Sequence, residues 1–269
     1  MMHGRTIAGL AVVAALAGAP TFAQQAPETG QAQPPSATGQ AGMQAQELYH
    51  VHFVKAAPGK IAELVGAYRE TPVAEGEPGP PLIFRHLQGD DWDLLVLTPL
   101  GKEETVRTAA TPEEQRSVER MRGLRAQHGD TFTAGPAWPE VRAALLGEGS
   151  ERPTGTAGGS AGPIYTVSTY RSLPGHRDQL GQTLQRIAAL YPDRRTILQH
   201  VEGAPWEFVV ISRFDSWSAL GEDQAAPAEK LRSQGFASNE AIGTELRQHL
   251  AEHRDTIARM ESAPPGPAR

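Results

Sequence analysis

Three sets of residues in this chain have types and spacings that could do chemistry. The first is His50-x-His52, inside YHVHFV at residues 49–54. Alternate residues of a strand share a face, so the two imidazoles would stand about 6–7 Å apart on one side. Such a pair ligates Zn²⁺, Cu²⁺ or Fe²⁺ when a third ligand converges, and His86 or His200 could supply one. The second set occurs twice: RHLQGDDWDLLVLTP (85–99) and QHVEGAPWEFVVISR (199–213) align His86 with His200, Gly89 with Gly203, Trp92 with Trp206 and Asp93 with Glu207. The third set is His-x-Asp-Thr, present at His128–Thr131 and again at His253–Thr256.

Duplication weighs toward structure for the second and third sets, because a fold element is kept in both copies whereas catalysis needs one. In the second set, His and Trp would meet across a hairpin and fix strand register. Asp93 and Glu207 would then face the other way, toward Arg85 and a neighbouring segment. In the third set, the histidines read as the end of a helix, favoured there by its dipole, followed by turn-forming Asp-Thr. A buried Asp–His pair would be the catalytic alternative. The sequence has no nucleophile elbow, P-loop, dinucleotide fingerprint or zinc-protease spacing. The glycines at 158–162 precede a strand, not a helix. No resident metal and no cofactor are expected.

The elements that must position these residues also repeat. YHVHFV and YTVSTY (165–170) both alternate, and each leads into Pro-Gly, at Pro58-Gly59 and Pro174-Gly175. A helix follows in each copy, carried by Ile61, Leu64, Val65 and Tyr68 in the first and by Leu180, Leu184, Ile187 and Tyr191 in the second. Pro72 and Pro192 mark the helix ends. Residues 81–88 and 92–98 form a hairpin, as do 195–202 and 206–213. The runs LLVL and FVVI are continuous rather than alternating, which suits strands covered on both faces. A second helical region closes each copy, through Val118, Met121 and Leu124 or through Ile242, Leu246 and Leu250. Short last strands follow at 131–134 and 256–260.

Each copy thus reads β-α-β-β-α-β, a ferredoxin-like unit with one sheet face left bare. Two copies on one chain can bury those faces against each other. With its Pro-Gly before helix one and its Gly-x-x-Trp hairpin, the chain resembles the dimeric α/β-barrel superfamily, near its NIPSNAP-like and antibiotic-biosynthesis-monooxygenase-like members. The fold class is therefore α+β: two ferredoxin-like repeats forming an intramolecular, pseudo-dimeric α/β barrel. The resemblance implies a ligand in the barrel lumen. If Tyr49, Val51 and Phe53 face the helices, then His50, His52 and Val54 face inward, matched by Thr166, Ser168 and Tyr170. The expected ligand-binding residues are His50, His52, His86, Tyr170 and His200.

The ends of the chain read as targeting and tether. Residues 1–23 have a basic start, a short apolar core and small residues before Ala23, the layout of a secretory signal. Residues 24–46 are a Gln/Pro/Ala-rich tether, 147–162 a linker between repeat 47–146 and repeat 163–261, and 262–269 a Pro-rich tail. Periplasmic or secreted location follows, with no membrane contact after cleavage. The chain has no cysteine, so disulfides and thiolate chemistry are excluded. A net charge of −6, mixed along the chain, argues against nucleic acid.

The expected function is an exported barrel that binds a small molecule of unknown identity, with further self-association of pseudo-dimers left open. The alternative is a cofactor-free monooxygenase acting on an aromatic substrate. A haem-binding protein is a third reading. The haem-degrading relatives use an Asn-Trp-His trio, whereas the single asparagine here, Asn239, lies in a helical region away from the strands.

Overall fold

The computed structural model describes residues 46–71, 73, 78–102, 112–147, 162–222 and 226–261, and in them eight strands close into one antiparallel barrel. The expected signal segment, the tether apart from Gln46, the interior of the 147–162 linker, Pro72 and the tail lie outside the described residues. The first half runs β1 (Glu47–Ala56), α1 (Ile61–Arg69), β2 (Leu82–Gln88), β3 (Leu94–Gly101), α2 (Pro112–Arg122), β4 (Arg125–Gly135) and α3 (Trp138–Leu146). The second runs β5 (Ile164–Ser172), α4 (Arg177–Ala189), β6 (Arg195–Glu202), β7 (Phe208–Phe214), α5 (Trp217–Glu222), α6 (Ala228–Ser233), α7 (Asn239–His249) and β8 (Leu250–Glu261). Around the barrel the order is β1-β3-β2-β8-β5-β7-β6-β4. Each half therefore contributes four adjacent strands, β4-β1-β3-β2 and β8-β5-β7-β6, and the seams between halves are β2–β8 and β4–β6.

Antiparallel neighbours alternate in direction, so β1, β2, β5 and β6 all point toward one end of the barrel. Both His-Gly-Trp hairpins sit at that end. Their glycines explain the repeat. Gly89 (φ +128°) lies against Asp255 and Thr256 of β8, and Gly203 (φ +108°) against Asp130 and Thr131 of β4, with no room for a Cβ. Each glycine thus lets a hairpin close over the seam to the other half.

The opposite end is closed by α3. Its Trp138, Val141 and Leu145 belong to the same buried cluster as Tyr49, Val51, Leu95, Tyr165, Val167 and Ile211. Tyr49 Oη donates to the Pro136 carbonyl, and Tyr165 Oη donates to the Leu145 carbonyl at 2.8 Å. Burying these two hydroxyls costs little because both are paired. Burial in the same cluster pushes the Tyr165 phenol up to about 12, against the pull of the nearby Arg213 guanidinium.

The cluster mixes residues of both halves, and it is the barrel interior. Tyr49, Val51 and Phe53 therefore face the lumen, while His50, His52 and Val54 face outward beneath the helices, opposite to the sequence expectation. Tyr170 is likewise outside, packed near Leu180, Leu184 and Phe208. Both faces of β1 are covered, so alternation alone fixes two faces without ranking them. The more apolar set fills the lumen, where water is excluded on every side. On the outer face α1 buries Leu64, Val65, Ala67 and Tyr68 against Val54, Ile83, Leu94 and Val96. Each of those larger aliphatic side chains contributes about 1.5–3 kcal/mol.

Strands β4 and β8 are longer than their sequences suggest. They begin at Arg125 and Leu250, so His128, Asp130, His253 and Asp255 are strand residues and not helix caps.

Candidate functional site

Two places on the barrel bring together groups that could act on a ligand. The first is a pocket of about 540 Å³ at the hairpin end. Its floor is aromatic: Phe53 touches Trp92 with ring centroids 5.5 Å apart and Trp206 at 6.2 Å, both edge to face. Matching strand ends and hairpins of both halves line it, so the pocket lies between the two halves. Its rim is charged but internally paired. Lys55 meets Asp91, Arg171 Nη2 lies 2.8 Å from Glu252 Oε2, and Arg254 bridges Asp90 and Glu252. A rim neutralised in this way favours an uncharged guest over an ion.

His86 and His200 lie on the lumen side of β2 and β6. Each touches a tryptophan that lines the pocket, at 5.6 Å (Trp92) and 6.0 Å (Trp206), without lining it themselves. His200 Nε2 accepts from the Ala204 amide at 3.2 Å, while the buried His86 Nε2 has no hydrogen-bond partner among the described residues. Burial and the neighbouring Arg177 lower the His200 pKa. The acids beside the tryptophans do not reach Arg85. Asp93 Oδ2 accepts from the Ala56 amide at 2.8 Å, and Glu207 Oε2 from the Ser172 amide at 2.7 Å. Each acid ties its hairpin to the end of β1 or β5, so the duplicated motif is a structural clamp.

The second place lies outside the barrel, between β1, β4 and α1. The register sets His52 directly opposite Asp130. Asp130 Oδ1 lies 2.9 Å from His50 Nε2 and 3.3 Å from His52 Nε2, and its Oδ2 lies 2.7 Å from His128 Nδ1. The two strand histidines stack with ring centroids 5.3 Å apart. Tyr68 Oη reaches His52 Nδ1 at 3.1 Å, and Arg125 Nη1 reaches His52 Nε2 at 3.2 Å. Because a guanidinium only donates, His52 Nε2 is the accepting nitrogen, and Nδ1–H points at the tyrosine oxygen. Burial drives the His52 imidazole down to about 3 although Asp130 pulls the other way, so the ring is neutral at ordinary pH. Burial pushes Asp130 up, but the His50 hydrogen bond and the surrounding imidazoles outweigh it and hold the carboxyl below the usual range.

The sequence singled out His50 and His52 together, and the structure unites them. It places His86, His200 and Tyr170 elsewhere. Sequence reasoning missed Asp130, His128, Tyr68 and Arg125 as their partners, although the shared His-x-Asp-Thr motif marked two of the four.

No family model matches the sequence, and no curated protein matches it. Among solved structures, an anthrone oxidase-like protein aligns over 81 % of this chain and 92 % of its own, at 14 % identity and a TM-score of 0.51. The chain has the dimeric α/β-barrel fold. A candidate monooxygenase from Lactobacillus acidophilus NCFM aligns over 81 % of this chain and 95 % of its own, at 7 % identity and a TM-score of 0.49. Another from Fusobacterium nucleatum aligns over 82 % and 94 %, at 5 % identity and a TM-score of 0.49.

Proposed function

We propose that this α/β barrel is exported and binds a small, flat, largely apolar molecule in the pocket between its two halves. The observation that carries this reading is the aromatic floor of Phe53, Trp92 and Trp206 beneath a self-neutralised rim, at the barrel end opposite α3. Stacking on aromatic rings at the edge of a cavity favours planar guests. The matching strand orders and shared hairpins support reading the halves as two copies of one ferredoxin-like unit. Titration of the purified protein with planar phenols, quinols and anthrones, followed by tryptophan fluorescence, tests the pocket. Saturable quenching that weakens in Trp206→Ala is expected. No saturation by any of these compounds, or binding indifferent to Trp92→Ala and Trp206→Ala, would overturn the reading. Export is tested by N-terminal sequencing of the protein recovered outside the cytoplasm, with a new terminus at Gln24 expected.

A second reading is cofactor-free oxidation of such a guest, and His128 favours it. This half-exposed histidine lines the pocket, and its Nδ1 is held 2.7 Å from Asp130, leaving Nε2 to take a proton from an activated methylene carbon. Dioxygen would take the electrons, with one oxygen atom becoming a carbonyl on that carbon and the other leaving as water. The fold shared with an anthrone oxidase-like protein fits this chemistry. Substrate-dependent oxygen uptake that falls in His128→Ala supports it, and uptake unchanged by that substitution removes His128 as the base.

A further inference from the structure

We propose that the outer face of the first half holds a divalent transition-metal ion on His52, His128 and Asp130. The donor atoms of these three residues lie within 4.8 Å of one another, drawn from two strands whose register is fixed by the barrel. Imidazole and carboxylate donors suit Zn²⁺ and its first-row neighbours. Three protein ligands leave a coordination position for water, and the half-exposed His128 marks the side from which water and metal reach the site.

The surroundings also supply what a metal site needs. Tyr68 Oη accepts a hydrogen bond from His52 Nδ1–H, which fixes the ring with Nε2 on the side of Asp130 and Arg125. His50 Nε2, at 2.9 Å, holds Asp130 Oδ1 from behind. Three imidazoles thus crowd a single carboxylate, which is more nitrogen than one acid needs.

Comparison with the second half sharpens the point. Its strands put Thr166 and Ser168 at the positions of His50 and His52, and Leu250 at that of Arg125. Counted from Pro-Gly, Leu184 stands where Tyr68 does. There Ser168 Oγ donates to Asp255 at 2.6 Å, and His253 approaches that acid only to 3.5 Å. The His-Asp strand pair is common to both halves, while the strand histidines, the tyrosine that orients one of them and the arginine beside them occur in one.

Arg125 is the competitor. Its guanidinium occupies the His52 Nε2 lone pair at 3.2 Å, its own Nε has no hydrogen-bond partner among the described residues, and a bound cation must displace it. Removing its charge therefore tightens metal binding, a result that a merely structural network does not produce.

The test is calorimetric titration of EDTA-treated protein with Zn²⁺, without any organic ligand, so that its outcome is separate from that of the pocket reading although His128 belongs to both. One Zn²⁺ per chain is expected. Binding is lost in His52→Ala and Asp130→Asn, weakens about tenfold in Tyr68→Phe, tightens in Arg125→Gln, and is unchanged in His176→Ala, whose ring pairs with His249 elsewhere. Circular dichroism verifies each fold. If His52→Ala does not fold, His128→Ala on the exposed rim must abolish binding instead. No stoichiometric Zn²⁺ in wild type and Arg125→Gln overturns the proposal, as does binding that survives Asp130→Asn and His128→Ala.

Discussion

Gly89→Ala is expected to unfold the barrel more easily by about 3 kcal/mol. Two effects contribute. Gly89 has φ +128°, a backbone region that L side chains rarely adopt, and such strain costs about 1–3 kcal/mol. The new Cβ would also stand 2.5 Å from the Asp255 carbonyl oxygen and 2.7 Å from Thr256 Cα, both main-chain atoms of β8 that cannot swing aside. Overpacking of this kind costs about 1–3 kcal/mol, and moving Thr256 also loosens its hydrogen bond from the Asp90 amide at 3.2 Å. For a domain of this size, 3 kcal/mol lowers the melting temperature by about 6–12 °C. Equilibrium urea unfolding and a thermal scan measure it. Gly129→Ala is the control: its Cβ meets nothing within 4 Å, so stability should hold or rise by about 0.4–1 kcal/mol. Gly203→Ala, at the matching seam, should match Gly89→Ala, and the two losses should add to within about 0.5 kcal/mol. Should Gly89→Ala and Gly129→Ala prove equally stable, the claim that hairpin glycines close the seams fails.

Further outcomes follow from the same geometry. Asp93→Ala leaves the Ala56 amide without its acceptor and should cost about 1–3 kcal/mol, with Glu207→Ala costing the same at Ser172, both read by urea midpoints. Trp138→Ala removes the largest side chain that α3 sends into the interior and should cost about 3–5 kcal/mol by the same assay. Burial pushes the Tyr165 phenol from its ordinary 10.0 up to about 12, so the folded state binds that proton more tightly. The resulting stability is present below pH 10 and lost as the pH rises toward 12. Wild type should therefore lose stability across that window more steeply than Tyr165→Phe, followed by unfolding midpoints against pH.

Much of the barrel could be read along the chain because its signals are local. The Pro-Gly turns, the helix stripes of Leu64 and Leu180, and the two hairpins all depend on residues a few positions apart. The lumen assignment failed because Tyr49-Val51-Phe53 and His50-His52-Val54 are both covered faces of one strand, and only the packing of the other half decides which is interior. The start of strand β4 reads as a helix end and a turn because its outer face carries Arg125, His128 and Asp130, whose polar side chains hide the alternation. The partnership of His52 with Asp130 joins positions far apart in the chain through strand pairing, and Tyr68 arrives from a third element. Helix α3 was hidden by its place beside a Gly-rich linker, although Trp138 and Leu145 are its visible apolar face.

Carrying both halves of the barrel on one chain has an evolutionary consequence. In a barrel built from two identical subunits, every substitution is made twice, so a group useful on one side must also be tolerated on the other. A single chain is released from that symmetry. His50 and His52 can differ from Thr166 and Ser168 at the corresponding strand positions while Gly89 and Gly203 match. The seams keep their twofold likeness, and the outer faces are free to specialise one at a time.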